Sequence, residues 1–177
     1  MNRRQFMKAS VIGGGAALGV GGGTFLLIEE VDKSELTITA ALKQLESLPL
    51  SELTSSGQWN VSQIFMHCAQ SIEYSMSQFP EHKSSFFKNT VGKLAFSAFS
   101  SKGKMTHSLN EPIPGAPLLT SNTDVNVALN RLKQSFIDFD NFQGPIAPHF
   151  AYGKLTKLEF VQAHVMHLNN HLQEINI

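Results

Sequence analysis

From residue 34 onward, apolar positions recur mainly at steps of three and four, the period of a helix that buries one face. The stretch "SELTITAALKQLESL" at 34–48 predicts a first amphipathic helix. A second covers 60–79, "NVSQIFMHCAQSIEYSMSQF", with Val61, Phe65, Cys68, Ile72, Met76 and Phe79 as its apolar seam. Asn60 and Gln63 have capping-box form, in which each side chain satisfies the other residue's backbone N–H, and Pro80 stops the helix. Residues 84–99 predict a weaker helix, interrupted by Gly92. Ser121, with Asp124 three positions on, opens a further helix through Phe139. The last helix starts at the capping box Thr156–Glu159 and runs to about Ile175. Between these lie two loops carrying proline and glycine, "EPIPGAP" at 111–117 and "GPIAPHFAYG" at 144–153. Strand signals are scarce. The pattern predicts an all-α fold, an up-and-down four-helix bundle with an extra short helix and long loops.

At about 100° per residue, the last helix carries two stripes. Leu158, Val161, Val165, Leu168, Leu172 and Ile175 form the expected core seam. Phe160, His164, His167 and His171 form a second stripe, roughly 90° round from the first, while Gln162, Asn169 and Gln173 are expected to face solvent. His167 and His171 are four apart, which lets two imidazoles on one helix face reach one ion. The same stripe serves equally as the polar flank of a bundle helix. A third ligand would come from His67, in the middle of the second helix. It shares an arc with Gln63, Ile64, Ser71 and Tyr74, roughly 140° from that helix's seam, a position that also suits a histidine facing water.

The first thirty residues are of a different kind. "MNRRQFMKAS" precedes a glycine- and alanine-rich apolar stretch that ends at "TFLLI", the order of an export signal. Paired arginines, Arg3 and Arg4, then Phe6, Met7 and Lys8, fall in the register of a twin-arginine signal. The glycines do not make a dinucleotide-binding loop, since Leu18 and Leu26 occupy the third glycine position of that motif. Ala9 to Ile28 is long enough to cross a hydrocarbon core, and no A-x-A site precedes Glu29. Residues 1–30 are therefore either a removable signal or an uncleaved anchor spanning 9–28, with 31–177 as the folded domain. Either way the twin-arginine translocase is the expected partner. The domain is expected in the periplasm or held on the outer face of the inner membrane.

Composition narrows the picture further. A chain of 177 residues suits one domain with a sizeable core. After Ile28 there are 11 basic and 14 acidic residues, a net −3, which gives no reason to expect a nucleic-acid partner. The run "SKGK" at 101–104 reads as a solvated loop. Cys68 is the single cysteine, so no intramolecular disulfide can form; it is expected as a small buried hydrophobe, about 100° round the helix from His67.

Trp59, Gln63 and His67, with His149-Phe150, Gly153-Lys154-Leu155-Thr156, His167 and His171-Leu172-Gln173, resemble the DinB-like superfamily of metal-binding four-helix bundles. The resemblance covers nearly all of 34–177. It implies a divalent ion (zinc, nickel or iron) held by His67, His167 and His171. Asn170 stands where relatives often have another histidine, and His164 is additional. The resemblance to bundles that include thiol transferases implies either a metal-dependent enzyme, hydrolase-like or thiol-transferase-like, acting on a small molecule, or a non-catalytic metal-binding or interaction module at the inner membrane. Three neutral imidazoles leave an ion with an open position, as catalytic sites do. No catalytic acid or base stands out. Glu159 and Glu174 are capping and terminal residues, Tyr74, Gln63 and Gln173 are supporting candidates, and His149 is a loop residue within reach of a pocket mouth.

Overall fold

The computed structural model describes residues 33–177, so the expected signal or anchor lies outside the described residues. Six α-helical segments lie among the described residues: α1 (Ile38–Glu46), α2 (Val61–Met76), α3 (Ser85–Phe87), α4 (Lys93–Lys102), α5 (Val125–Asn141) and α6 (Lys157–His171). The architecture is the expected all-α bundle. Its four main helices are α1, α2, α5 and α6, and each of α1 and α2 packs against both α5 and α6. The short α3 and α4 form the insertion, with α4 lying against α6. No helix among the described residues is long and apolar enough to cross a membrane.

The helix starts follow local chemistry. Asn60 and Gln63 close a full capping box on α2, and Thr156 and Glu159 another on α6, each satisfying backbone donors that the first turn leaves free. Asp124, and not Ser121, caps α5: its carboxylate accepts from the N–H groups of Asn126 and Val127. Those bonds hold its carboxyl below the usual carboxylate range. At the other end of α5, Lys157 Nζ donates to the carbonyls of Asp140 and Phe142 at 2.6 and 3.0 Å. The "SKGK" run is a helix end rather than a free loop, with Gly103 as the left-handed cap at φ 61°.

Between α3 and α4, Lys88–Gly92 forms a π turn, so the insertion is one helix with a wide point in it. Gly92 is buried there, and a Cβ at this position would overlap the carbonyl oxygen of Ala151. The glycine that breaks the apolar pattern thus lets the insertion touch the 144–153 loop. That loop folds back on itself through paired backbone hydrogen bonds between His149 and Gly153. Gly153 at φ 79° supplies a conformation that side chains resist.

The core is aromatic. Phe65, Phe79, Phe136, Phe139 and Phe160 are fully buried, together with Leu45, Ile64, Ile72, Leu132, Met166 and Leu168. Each such side chain stabilises the fold by roughly 1.5–3 kcal/mol. Across the α2–α5 contact, Arg131 makes a bidentate pair with Glu73, at 2.7 and 2.6 Å. Cys68 is buried as expected, and burial pushes its thiol up.

The last helix differs from expectation in two respects. It ends at His171, and the chain continues as a 3₁₀ turn, Leu172–Glu174, into a two-residue strand, Ile175–Asn176. That strand (β2) pairs antiparallel with β1 (Thr54–Ser55), Thr54 opposite Asn176 and Ser55 opposite Ile175. The Glu174 carbonyl is taken by the Ser56 N–H and hydroxyl, which draws the chain out of helix. Its buried face is also rotated from the expected seam. Leu158 is 66% exposed, whereas Phe160, His164 and His171 are buried along with Val165 and Leu168. Burial centres on the histidine stripe, roughly a quarter turn from the predicted seam. Gln162, expected in solvent, is half-buried and accepts a hydrogen bond from the Ser100 hydroxyl.

Candidate metal centre

The α2–α6 contact brings His67, His167 and His171 together. One ring nitrogen from each lies within 4.8 Å of the other two. Ring centroids stand 5.0 Å apart for His67–His167, 4.8 Å for His67–His171 and 4.7 Å for His167–His171. His67 is 3% exposed and His171 fully buried, so the offset of His67 from the α2 seam does not leave it in water. Buried positions almost encircle α2, Ile64 and Ser71 beside His67 included. Trp59 closes one side, 4.8 Å from the His67 ring and stacked on His171 at 14° between planes.

The electrostatics favour neutral rings. Burial pushes His67 down to about 3, helped by its neighbour His107. Burial likewise takes His171 to about 2, with further contributions from His67 and His107. His167 is held well below the usual histidine range by burial and by the other imidazoles around it. Neutral imidazole is the ligating form, so at neutral pH no proton has to leave before an ion binds.

Two observations bear on whether an ion fits. Nε2 of His167 and Nε2 of His171 are 3.1 Å apart. Two lone pairs cannot face one another at that range without a proton or a cation between them. Adjacent ligands on a tetrahedral ion with 2.0–2.1 Å bonds are separated by roughly 3.3 Å, close to the spacing seen. In addition, Nδ1 of His67 and Nδ1 of His171 are buried with no hydrogen-bond partner among the described residues, which a built polar site ordinarily avoids. An all-nitrogen donor set of intermediate softness suits zinc, nickel or iron alike.

His164, on the same stripe, belongs elsewhere. The Ser75 hydroxyl donates to the Ile72 carbonyl at 2.6 Å, so His164 Nε2–H donates to Ser75 Oγ at 3.1 Å. Its ring sits between Phe139 and Phe160, and burial pushes it to about 3. Asn170 is buried on the same helix, with Nδ2 unpartnered among the described residues. Of the supporting candidates, Gln63 is committed to its capping box and to the Leu119 carbonyl, Gln173 is exposed, and Tyr74 packs on Phe79.

Beside the histidines opens a cavity of about 340 Å³, lined in part by His67, His167, Met105, Phe150 and Tyr152. His149 lines it too, buried rather than solvated, and stacks flat on Tyr152 at 4.3 Å. Its Nδ1 accepts the N–H groups of Ala151 and Tyr152, which places the ring proton on Nε2. Burial, with His164 and His82 nearby, holds it well below the usual range. The exposed Lys83 and Glu111 supply the cavity's charge.

Three of these lining residues carried no signal in the sequence. Lys83 and Glu111 sit in loops without periodicity. His107 lies on the long connection after α4, yet its ring comes within 5.0 Å of His167 and 5.1 Å of His171. Only tertiary folding of that connection brings it there.

A helical bundle with a buried cluster of three neutral histidines beside a cavity defines the class. The chain belongs to the DUF1569 family, described as a protein of unknown function, which it matches over residues 30–176. No curated protein and no solved structure matches it.

Proposed function

We propose that this protein binds one divalent ion through His67, His167 and His171, at the floor of a cavity that admits a small organic molecule. The supporting observation is the neutral trio itself, with donor atoms within 4.8 Å of one another and two of its rings, His67 and His167, lining a cavity of about 340 Å³. A bound ion with an open position would polarise a carbonyl, activate water or hold a thiolate. The chain's own residues would do the rest. Met105, Phe87, Ile113 and Phe150 offer apolar surface to the substrate, His149 presents an N–H, and Lys83 and Glu111 offer charge to its polar end. This favours a metal-dependent enzyme, hydrolase-like or thiol-transferase-like, in a DinB-like bundle, over a module that only stores metal.

The test is metal analysis of protein purified without a histidine tag. About one equivalent of zinc, nickel or iron per chain is expected. Less than a tenth of an equivalent, before and after loading with each metal, would leave the histidines as a polar packing cluster and remove the enzyme reading.

The Arg3-Arg4 motif further supports export by the twin-arginine route, with the domain loaded before it crosses. Replacing both arginines with lysine should retain a fused reporter in the cytoplasm. Export unchanged by that replacement would sink the route.

A further inference from the structure

We infer that His107 is a fourth ligand of the same ion, delivered by the connection between α4 and α5; the inference rests on the three-histidine reading above. Nδ1 of His107 lies 2.7 Å from the carbonyl oxygen of Ser108. A carbonyl only accepts, so Nδ1 carries the proton and Nε2 carries the lone pair. That Nε2 is buried and has no hydrogen-bond partner among the described residues. A ligating histidine has this form: one nitrogen donates to a backbone carbonyl, which fixes the tautomer and leaves the other nitrogen free for metal. The ring also stands in the right place. Its centroid is 5.0 and 5.1 Å from His167 and His171, nearly the spacing that His67, His167 and His171 keep among themselves.

His107 is not one of the three whose donor atoms lie within 4.8 Å of one another, so it must move in slightly to ligate. The connection permits that. Met105 and Ile113 are buried and pin it on either side, while Thr106, Ser108, Asn110, Glu111 and Pro112 between them are exposed. Since His107 and Glu111 both line the cavity, the segment that supplies the fourth nitrogen also walls the substrate space. A molecule entering the cavity would exchange with this imidazole at the ion, and the three helix-borne ligands would stay in place.

Cobalt(II) tests this without any assay of activity. The apoprotein, His107→Ala and His107→Gln are titrated with cobalt, and azide is then added to each complex. Wild type should give the visible spectrum of a four-nitrogen tetrahedral site. Both variants should bind cobalt more weakly by at least about tenfold, the low end of what losing a hydrogen-bond partner of a ligand costs. Their spectra should be altered, and azide should bind to them more tightly because no imidazole has to leave. Circular dichroism identifies a misfolded variant, and agreement between the two substitutions guards against a local packing defect. Spectra and affinities identical to wild type would overturn the role of His107 and leave the three-histidine site standing. Failure of wild type itself to bind cobalt would overturn both.

Discussion

The middle and the C-terminal end of α6 make an instructive comparison. His164 and the pair His167 and His171 lie on one stripe of one helix, all are pressed into the protein, and burial holds all of them neutral. What separates them is the surface opposite. His164 meets a serine whose own proton is already committed, and two phenylalanine rings. Every hydrogen-bond demand that it makes toward Ser75 is met, and it behaves as part of the core. One turn later the opposite surface is His67, and beyond it His107. There two ring nitrogens approach to 3.1 Å, and other ring nitrogens lack partners. Spacing along a helix therefore cannot tell a ligand from a packing residue. The partner across the interface decides.

The sharpest way to break that contrast is to remove one ligand. His167→Ala should abolish stoichiometric metal binding, whereas His164→Ala should retain it, as read by metal content after dialysis. Metal lost equally from both variants would mean that the middle and the end of α6 form one site and not two.

Acid should act on both stretches alike. An unfolded histidine takes up a proton below about pH 6.5; the folded rings of His67, His164 and His171 do not until about 3 or 2. The unfolded state then binds more protons, so stability is fully present above about pH 6.5 and falls as pH drops toward 3. Each ring should contribute a slope of about 1.4 kcal/mol per pH unit. Urea midpoints of the apoprotein at pH 7.5 and 5.5 test this, and added metal should raise the midpoint at both pH values. A flat profile would mean that the rings are not neutral and buried in solution.

The smaller effects concern packing. Leu168→Ala should cost about 2–5 kcal/mol, since the side chain is fully buried. Leu158→Ala should cost within about 0.5 kcal/mol, because that leucine stands in water. Equal costs at the two positions would restore the seam that the sequence pattern predicts.

That seam shows where legibility ended. Helix boundaries set by capping chemistry, at Asn60–Gln63 and Thr156–Glu159, could be read from a few adjacent residues because their bonds are local. So could the apolar seam of α2 from Val61 to Ile72, whose members are buried. The face of α6 could not. Treating histidine as polar sent Leu158 inward and the imidazoles to the flank, yet a neutral ring packs on phenylalanine as an apolar group does. Ser121 lost the α5 cap to Asp124 because two acceptor positions three apart compete, and the carboxylate there makes the two bonds. The trio His67, His167 and His171 was legible through the i, i+4 spacing together with family resemblance. His107 was not, since a single histidine in a loop has no periodicity to place it.

Nine residues separate Phe87, which lines the cavity, from Phe96, which is buried against Tyr152. In an even α-helix, nine steps of about 100° would set those two rings on opposite faces. The π turn at Lys88–Gly92 absorbs one residue and brings the difference to roughly 80°, so both rings turn toward the same side. The wide turn is thus a phase shifter, and it is the kind of feature that an inserted residue leaves behind. An even pitch through the same residues would instead swing Phe87 by about 100°. Phe96 would stay in the core, and the cavity would lose one wall.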